Sequence, residues 1–436
     1  MYIQNNLYIC SVNLSRMKLR TSILICISIS CVFFACSTQP PTKSAYNAYY
    51  SEEQLREMRE QGRAQAKAYF EKLEKMHPDS VKTLELSWTY LELSWTYLDS
   101  LPDVSKYNKV WMISFSGNET PKVDKSLFSS DSLTHVRLES CGIREIEFPE
   151  GNRIESITLT NNELTRIPSS IRRCKQLRSL NLEGNQIRHI PRWILDLDSL
   201  EDLTLNFNQL KLNRSDIRHL SKVKQIIIGG NGIEKLPNNI GRLHCESMNL
   251  GKNKLRALPK SFANLKQIKS LIFYENKFEE IPEVLADFKE LKHLDFYKNN
   301  LTQIPDFVGN MDGLQQLFLA FNKIELIPDT LRHLKRLKYF YIHHNELHFL
   351  PEWITEMDSI ERFGVGFNHL LDLPDLSKMK SLKDFDCEHN LLERFPWGLV
   401  EKPDMEIIVL RDNDFVMTDE EKVKLEEAKK QTTIVY

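Results

Sequence analysis

One segment of the chain reads Leu291-Lys-His-Leu294-Asp-Phe296-Tyr-Lys-Asn299-Asn-Leu301-Thr-Gln-Ile304-Pro305. It returns 23 residues later as Leu314-Gln-Gln-Leu317-Phe-Leu319-Ala-Phe-Asn322-Lys-Ile324-Glu-Leu-Ile327-Pro328. The asparagine of this frame recurs in steps of 21 to 23 residues, with one cysteine in its place: Asn118, Cys141, Asn162, Asn185, Asn208, Asn231, Asn253, Asn276, Asn299, Asn322, Asn345, Asn368, Asn390 and Asn413. Self-similarity at such a period is typical of arrays of stacked units, each of which contributes one supersecondary element.

The shared pattern, L-x-x-L-x-L-x-x-N/C-x-L with a later Ile-Pro or Leu-Pro pair, resembles the leucine-rich repeat, in its 23-residue class. The resemblance covers about three-quarters of the chain. Within this class, the chain resembles exported bacterial lipoproteins that carry such repeats. It implies an α/β solenoid, or horseshoe, with a parallel sheet on the concave face. Short helices or 3-10 turns are implied on the convex face, and helical caps at the ends. What the family shares in function is binding, because a fold does not by itself define an activity.

Within each unit, the apolar residues should face the core while alternate residues point to the concave surface. The asparagine amide is expected to pair with backbone groups left open at the turn. Pairs such as Ile281-Pro282 and Ile304-Pro305 should redirect the chain to the convex face, because proline has a fixed φ and no N–H. The unit around Asn208 has Leu212-Asn213-Arg214 where a proline would stand, which predicts one irregular turn.

The N-terminus has the composition of an export signal. From Met17 the chain has a basic start, an apolar run from Ile23 to Phe34, and then Ala35-Cys36. Such a run is too short to cross a bilayer and is typical of a secretory signal. The stretch before Cys36 resembles a bacterial lipobox, which implies a lipidated Cys36 and a chain anchored in the bacterial cell envelope. A simple secretion signal with an incidental cysteine is the alternative.

The expected organisation has five parts. They are a signal peptide with a lipobox-like end over residues 1–36, a polar tether over 37–50, an N-terminal helical cap over 51–87, the repeat array over 88–415 and a C-terminal cap over 416–436. A capping box at Ser51 should begin the first helix and Pro78 should end it. Residues 84–90 are repeated word for word as residues 91–97, and the second copy fits the repeat frame, with Thr96 in the asparagine position. A second capping box at Thr418 predicts a helix to about Lys430, followed by an edge strand.

Bulk composition excludes some function classes. The formal net charge is -2, so the whole chain has no basic excess that would indicate nucleic-acid binding.

Cys141, Cys174, Cys245 and Cys387 occupy apolar or asparagine positions of the frame, which predicts buried free thiols and not disulfides. The sequence lacks Gly-rich phosphate loops, H-E-x-x-H and G-x-S-x-G, so we expect no enzymatic activity and no cofactor.

Concave positions change character along the array. In the N-terminal half they are small or polar, whereas from the unit at Asn276 onward they are rich in rings and charges. The candidate partner-binding residues are Ile272, Tyr274, Asp295, Tyr297, Phe318, Phe321, Tyr341, His343, His344, Arg362, Phe367, Asp386 and Glu388, with His389 beside them. Glycines such as Gly251, Gly364 and Gly366 should leave shallow gaps on either side.

Contiguous exposed rings mark interaction sites, so this set predicts a surface for a protein or peptide. Two other interpretations stay open. Rings such as Tyr274, Tyr297, Phe318 and Tyr341 could stack on sugars, or neighbouring rings could simply cover the sheet as cross-strand pairs. A structural spacer of the envelope is a third function class. The histidines do not predict a metal site, because His344 and His389 are two units apart, roughly 10 Å.

Overall fold

The protein is described here by a computed structural model that places residues 52–86 and 107–436. It divides into two units, residues 1–60 and residues 61–436. In the first unit the described residues belong to helix α1 (Glu52–Glu74), which continues into the second. The predicted capping residue Ser51, the tether and the lipobox-like segment lie outside the described residues.

A single parallel sheet of 16 strands dominates the described part of the chain. Its strands are β1 (Thr83–Leu86), β2 (Met112–Ser116), β4 (His135–Glu139), β6 (Ser156–Thr158), β7 (Ser179–Asn181), β8 (Asp202–Thr204), β9 (Gln225–Ile227), β10 (Ser247–Asn249), β11 (Ser270–Ile272), β12 (His293–Asp295), β13 (Gln316–Phe318), β14 (Tyr339–Tyr341), β15 (Arg362–Gly364), β16 (Asp384–Asp386), β17 (Ile407–Val409) and β18 (Thr433–Val435). A small second sheet pairs β3 (Lys122–Val123) with β5 (Glu145–Ile146). Each strand of the large sheet pairs with the next one in chain order, which is the topology of a solenoid.

The period of the sequence sets the register between strands. Leu271, Leu294, Leu317 and Phe340 are direct partners across four strands, and each is fully buried. Because side chains alternate across a strand, the residues on either side of each partner point away from the core. We call that side of the sheet the open face.

The recurring asparagines join each unit to its neighbours, as predicted. Asn299 donates through Nδ2 to the carbonyl oxygen of Phe273 at 2.9 Å and to that of Phe296 at 3.1 Å. Its Oδ1 accepts the N–H of Phe278 at 3.1 Å. The same bonds recur in most of the units, so the side chain replaces ladder hydrogen bonds where the chain leaves the sheet.

Short 3-10 helices lie on the side away from the sheet, again as predicted; the first precedes β1 and the others follow strands. They are η1 (Pro78–Ser80), η2 (Lys125–Phe128), η3 (Ser169–Arg173), η4 (Arg192–Asp196), η5 (Ile240–Arg242), η6 (Lys260–Asn264), η7 (Glu283–Leu285), η8 (Asp306–Asn310), η9 (Asp329–His333), η10 (Glu352–Glu356) and η11 (Leu376–Lys378). The unit without a proline forms an α-helix instead, α2 (Arg214–His219). Asn213 caps it, and its side chain accepts the N–H of Ser215 and of Asp216.

The C-terminal end agrees with its prediction. A one-turn helix, α3 (Trp397–Val400), precedes the last units, and α4 (Asp419–Ala428) begins with the predicted capping box of Thr418 and Glu421. Strand β18 then pairs in parallel with β17. Leu425 and Ile434 are buried there, so this end of the core is covered.

The start of the sheet differs from the prediction. The first of the two identical heptapeptides supplies strand β1, since Leu84 is the partner of Ile113 in β2. The array thus begins at Thr83, inside the segment expected to be the cap, and the second copy lies outside the described residues. Two identical heptapeptides have identical local preferences, so only packing can choose between them. Helix α1 ends at Glu74 and not at Pro78, which begins η1.

The four cysteines of the repeat units are free and buried, as predicted. Burial raises the pKa of the Cys141, Cys174 and Cys245 thiols to about 12, so they are not nucleophiles at neutral pH. None of the described helices is both long and apolar enough to cross a membrane.

Candidate binding surface

The candidate residues all come from six neighbouring units. Strand register places Ile272, Asp295, Phe318, Tyr341, Gly364 and Asp386 in one row across the sheet, on the open face. The other candidates of the set lie in parallel rows before and after this one, at fixed offsets within each unit. We call the whole candidate set, with His389, the C-terminal patch.

The middle of the patch is more buried than the sequence indicated. Asp295 is 3% exposed and Phe318 is 6% exposed. The Phe318 ring packs edge-on against His293 and against Tyr341, with centroid distances of 5.0 and 5.3 Å. Phe318 is therefore part of the floor of the patch, and the expectation of an exposed stacking platform at this residue is wrong.

Rings and a carboxylate fill the space above the glycines. A Cβ at Gly251 would lie 2.1 Å from the ring of Tyr274, and one at Gly364 would lie 2.8 Å from that of Tyr341. At Gly366 the nearest atom would be Oδ1 of Asp386, at 3.0 Å. The expected shallow gaps at these glycines are absent, since missing side chains let neighbouring ones lie flat on the backbone.

A column of four stacked rings runs along one edge of the patch. Phe321, His344, Phe367 and His389 stack in this order, with centroid distances of 3.8, 3.9 and 4.0 Å and interplanar angles of 20° or less. Nε2 of His389 lies 3.2 Å from Oδ2 of Asp412, which closes the column. These four rings therefore pack against rings of the neighbouring units, as the cross-strand interpretation expected.

A shared backbone conformation produces the column. Phe321, His344, Phe367 and His389 each precede the recurring asparagine and have φ between 51° and 57°. This left-handed conformation ends the strand alternation, so His344 does not point to the face opposite His343. The Nδ1 atoms of these two histidines are 3.0 Å apart.

Burial dominates the electrostatics of the patch. It raises the pKa of Asp295 to about 7, although Oδ1 accepts the N–H of Tyr297 at 2.7 Å. It raises the pKa of Asp386 to about 6, where Oδ1 accepts the N–H of Glu388 at 3.0 Å. Burial lowers the pKa of His343 to about 4, with help from the charge of His344. Near neutral pH the patch thus holds a neutral imidazole and a carboxyl close to its titration midpoint.

Two arginines lie at one end of the patch, Arg362 within it and Arg411 beside it. Arg362 lies over the ring of Tyr339, 5.6 Å from its centroid. Arg411 donates through Nη2 to Oε2 of Glu388 at 2.7 Å. Sequence reasoning missed His293, Tyr339 and Arg411, although the 23-residue period places them in the rows already considered.

The patch shows no metal-binding geometry within the described residues. No group of three or more His, Cys, Asp or Glu side chains there could hold a metal ion. The adjacent histidines contact each other and the ring of Phe321.

Comparison with known proteins supports the repeat assignment. A family model described as "Leucine rich repeat" matches residues 152–210 and 289–347. The structure has the short parallel strands, the 3-10 turns and the asparagine ladders of such repeats. The fold is a leucine-rich-repeat solenoid. No curated protein matches the sequence.

Solved structures resemble the solenoid at low sequence identity. A leucine-rich-repeat protein of Leptospira interrogans has a TM-score of 0.67 at 22% identity, covering 82% of this chain and 96% of that one. An internalin of Listeria monocytogenes has a TM-score of 0.57 at 19% identity, covering 76% and 87%. A plant peptide hormone receptor, RGFR1, solved with RGF2, has a TM-score of 0.52 at 23% identity, covering 77% and 57%. At these identities the likeness concerns the fold.

Proposed function

We propose that the protein is a non-enzymatic binding protein that takes an extended peptide or protein segment on its C-terminal patch. The observation that carries the proposal is the unbroken run of rings over strands β11 to β15. Tyr274, Tyr297, Tyr341 and His343 remain partly accessible above a floor that includes Phe318. Tyrosine is one of the residue types enriched among those that contribute large parts of a binding free energy.

A peptide ligand is supported by the rigid packing of the rings and by the charged side chains at one end of the patch. The rings are held by their neighbours, so little side-chain entropy would be lost on binding. RGFR1, which has a similar fold, is a plant peptide hormone receptor. By analogy, we infer that this chain also binds a peptide. Arg362, Glu388 and Arg411 at one end of the patch offer charges that would select complementary residues in a ligand.

The test is selection from a random peptide display library on the purified chain, followed by measurement of Kd for the selected peptides. The variant is Tyr297→Ala with Tyr341→Ala, which removes two accessible rings and leaves Phe318 in place. The matched control is Thr158→Ala with Thr204→Ala, on the open face of the N-terminal half. We expect the tyrosine variant to weaken binding by roughly 2 kcal/mol or more and the control to leave it unchanged.

Equal loss in both variants, or no loss in either, would show that the patch is not the binding site. A glycan array with the same proteins tests the carbohydrate alternative. Glycan binding that disappears with the tyrosine variant, in the absence of any selected peptide, would replace the peptide proposal by that alternative.

Export and lipidation remain proposals as well. We propose that the chain is exported and anchored in a bacterial envelope through Cys36, on the basis of the apolar run that precedes this residue. Mass spectrometry of the N-terminal peptide would reveal diacylglycerol on Cys36. A mature chain that begins elsewhere, or carries an unmodified Cys36, would contradict the anchor.

A further inference from the structure

One segment of the chain is strongly basic, although the whole chain is not. Between Lys211 and Lys266 there are twelve lysines and arginines but three aspartates and glutamates, a net charge of +9 in a chain of net charge -2. Several of these cations are paired: Lys222 with Asp198 and Lys224 with Glu201, at 2.6 and 2.9 Å. Lys254 pairs with Glu234 and Arg256 with Glu279, which leaves eight of the twelve cations without an ion pair among the described residues.

That remainder includes three arginines around one open cleft of about 570 Å³. The lining residues are Arg214, Arg218, Asn238, Asn239, Gly241, Arg242, Ser261 and Asn264. They come from three consecutive connections, α2, η5 and η6. No carboxylate contributes to the lining.

The missing proline explains why the cleft lies here. Arg214 and Arg218 are four residues apart. Because the connection after Leu212 is α-helical, they share one face of the helix. Gly241 lets the next connection approach closely, since a Cβ there would lie 1.9 Å from the carbonyl oxygen of Ser261. Arg242 then faces the same opening from the neighbouring unit.

None of the three guanidinium groups forms an ion pair with an acidic side chain of the described chain. Arg218 donates to Oγ of Ser215 at 3.2 Å, and that contact brings no negative charge. Elsewhere in the array, arginines such as Arg144 and Arg173 pair with glutamates of neighbouring units. Three unpaired guanidinium groups around one concavity create a positive potential that a mobile anion would neutralise.

Polar groups in the cleft wall also lack partners. Oδ1 of Asn239 and Oγ of Ser261 are buried atoms without a hydrogen-bond partner in the described chain. Nδ2 of Asn239 is held by the carbonyl oxygen of Arg214 at 3.0 Å, which orients the amide. Unsatisfied buried polar atoms are uncommon in folded proteins, and their place in the wall of a cationic cleft indicates a ligand with polar oxygens.

From these observations we infer a second binding site, which takes a small ligand that bears a phosphate or sulfate group. Guanidinium groups bind such tetrahedral oxyanions through paired, charge-assisted hydrogen bonds. The volume of the cleft exceeds that of one oxyanion and fits a small phosphorylated or sulfated molecule. The site is independent of the C-terminal patch, so it stands or falls apart from the proposed function.

The test is calorimetric titration of the full chain with inorganic phosphate, pyrophosphate and sulfate at low ionic strength. The cleft variant carries Arg214→Gln, Arg218→Gln and Arg242→Gln. The matched control carries Arg153→Gln, Arg166→Gln and Arg172→Gln, which are exposed arginines outside the cleft and remove the same charge. Thermal unfolding without ligand first establishes that all three proteins are folded.

We expect pyrophosphate to bind the wild type and the control with the same Kd, and the cleft variant with a Kd roughly tenfold higher or more. Equal weakening in both variants would overturn the site, because it would show a dependence on net charge alone. Absence of binding to the wild type would overturn it too. A co-sedimentation arm with phosphatidylglycerol vesicles separates the sources: binding to vesicles without binding to any free anion would replace the small ligand by a membrane surface.

Discussion

Asp295 is a buried carboxyl group on a sheet face that otherwise carries rings. Its neighbours in the same row are Ile272 and Phe318, and the latter is itself buried. Burial raises the pKa of this carboxyl to about 7, and the N–H of Tyr297, which donates to one oxygen, offsets only part of the loss of hydration. The patch therefore contains a group whose charge changes near neutral pH.

Replacement of Asp295 by Asn should stabilise the protein at pH 8. The folded-state pKa lies above the usual carboxyl value of 3.8, so the wild type loses stability as the pH rises from about 4 through 7. The amide keeps the acceptor for Tyr297 and cannot ionise. We expect a gain of roughly 2–4 kcal/mol in the free energy of unfolding above pH 7, vanishing below pH 4.

Denaturant titrations of both proteins at several pH values provide the measurement. A difference that is constant with pH would contradict the buried ionisation and would indicate a packing effect instead.

His343 should remain neutral well below the usual range of histidine. Burial and the neighbouring His344 lower its pKa to about 4. Because the folded-state pKa lies below the usual 6.5, the stability contributed by this neutral ring is lost as the pH falls from 6.5 toward 4. NMR titration of the imidazole signals, assigned by their loss in His343→Gln, measures the pKa directly. Titration of this ring near pH 6 would show that water reaches it.

At the scale of the repeating element, the asparagine ladder joins strand to strand. Asn322 donates to the carbonyl oxygens of Phe296 and Leu319 at 2.9 Å each, and accepts the N–H of Leu301 at 2.9 Å. Alanine at this position would leave several buried backbone groups without partners. Phe321, the residue before this asparagine, has a φ of 57°, in the left-handed region.

Asn322→Ala should lower the free energy of unfolding by roughly 2–4 kcal/mol. The control is Asn310→Ala, an exposed asparagine in the 3-10 helix of the preceding unit, which should change stability by less than about 0.5 kcal/mol. Urea denaturation followed by circular dichroism measures both. Equal effects in the two variants would argue against a structural role for the ladder.

At the scale of the whole solenoid, stability is shared between neighbouring units and protected at the ends. The last strand covers β17, where the N–H of Leu410 donates to the carbonyl oxygen of Val435 at 2.7 Å. Helix α4 adds Leu425 to the core, and Trp397 donates through Nε1 to Glu421 at 3.2 Å. In a solenoid each unit contacts only its neighbours, so the effect of losing a cap should be local.

Deletion of residues 416–436 should therefore loosen the C-terminal units first. We expect faster amide hydrogen exchange in β16 and β17, with little change in β6 to β8, because contacts do not reach across so many units. Hydrogen exchange with mass spectrometry resolves these peptides. Uniform acceleration throughout the array would show that the solenoid unfolds as one cooperative unit.

Prediction from sequence succeeded where one unit repeats the next. The asparagine bonds, the turns after each proline and the capping box at Thr418 each depend on local residues, which the period exposes. It failed at the duplicated heptapeptide, because residues 84–90 and 91–97 are identical and carry no internal signal that would assign β1 to the first copy. It also missed the arginine cleft, since Arg242 belongs to a different connection from Arg214 and Arg218.

The repeat period can be read from the amino-acid order alone, and it sets the register of the strands, the direction of the core side chains and the rows in which the surface residues lie. The tertiary structure alone decided which surface residues are accessible. Phe318 and Asp295 are covered, Tyr341 lies over Gly364, and the rings from Phe321 to His389 stack on one another. The physical reason is that burial on this face depends on side chains 23 residues away. Their rotamers follow from packing between units and not from any local pattern.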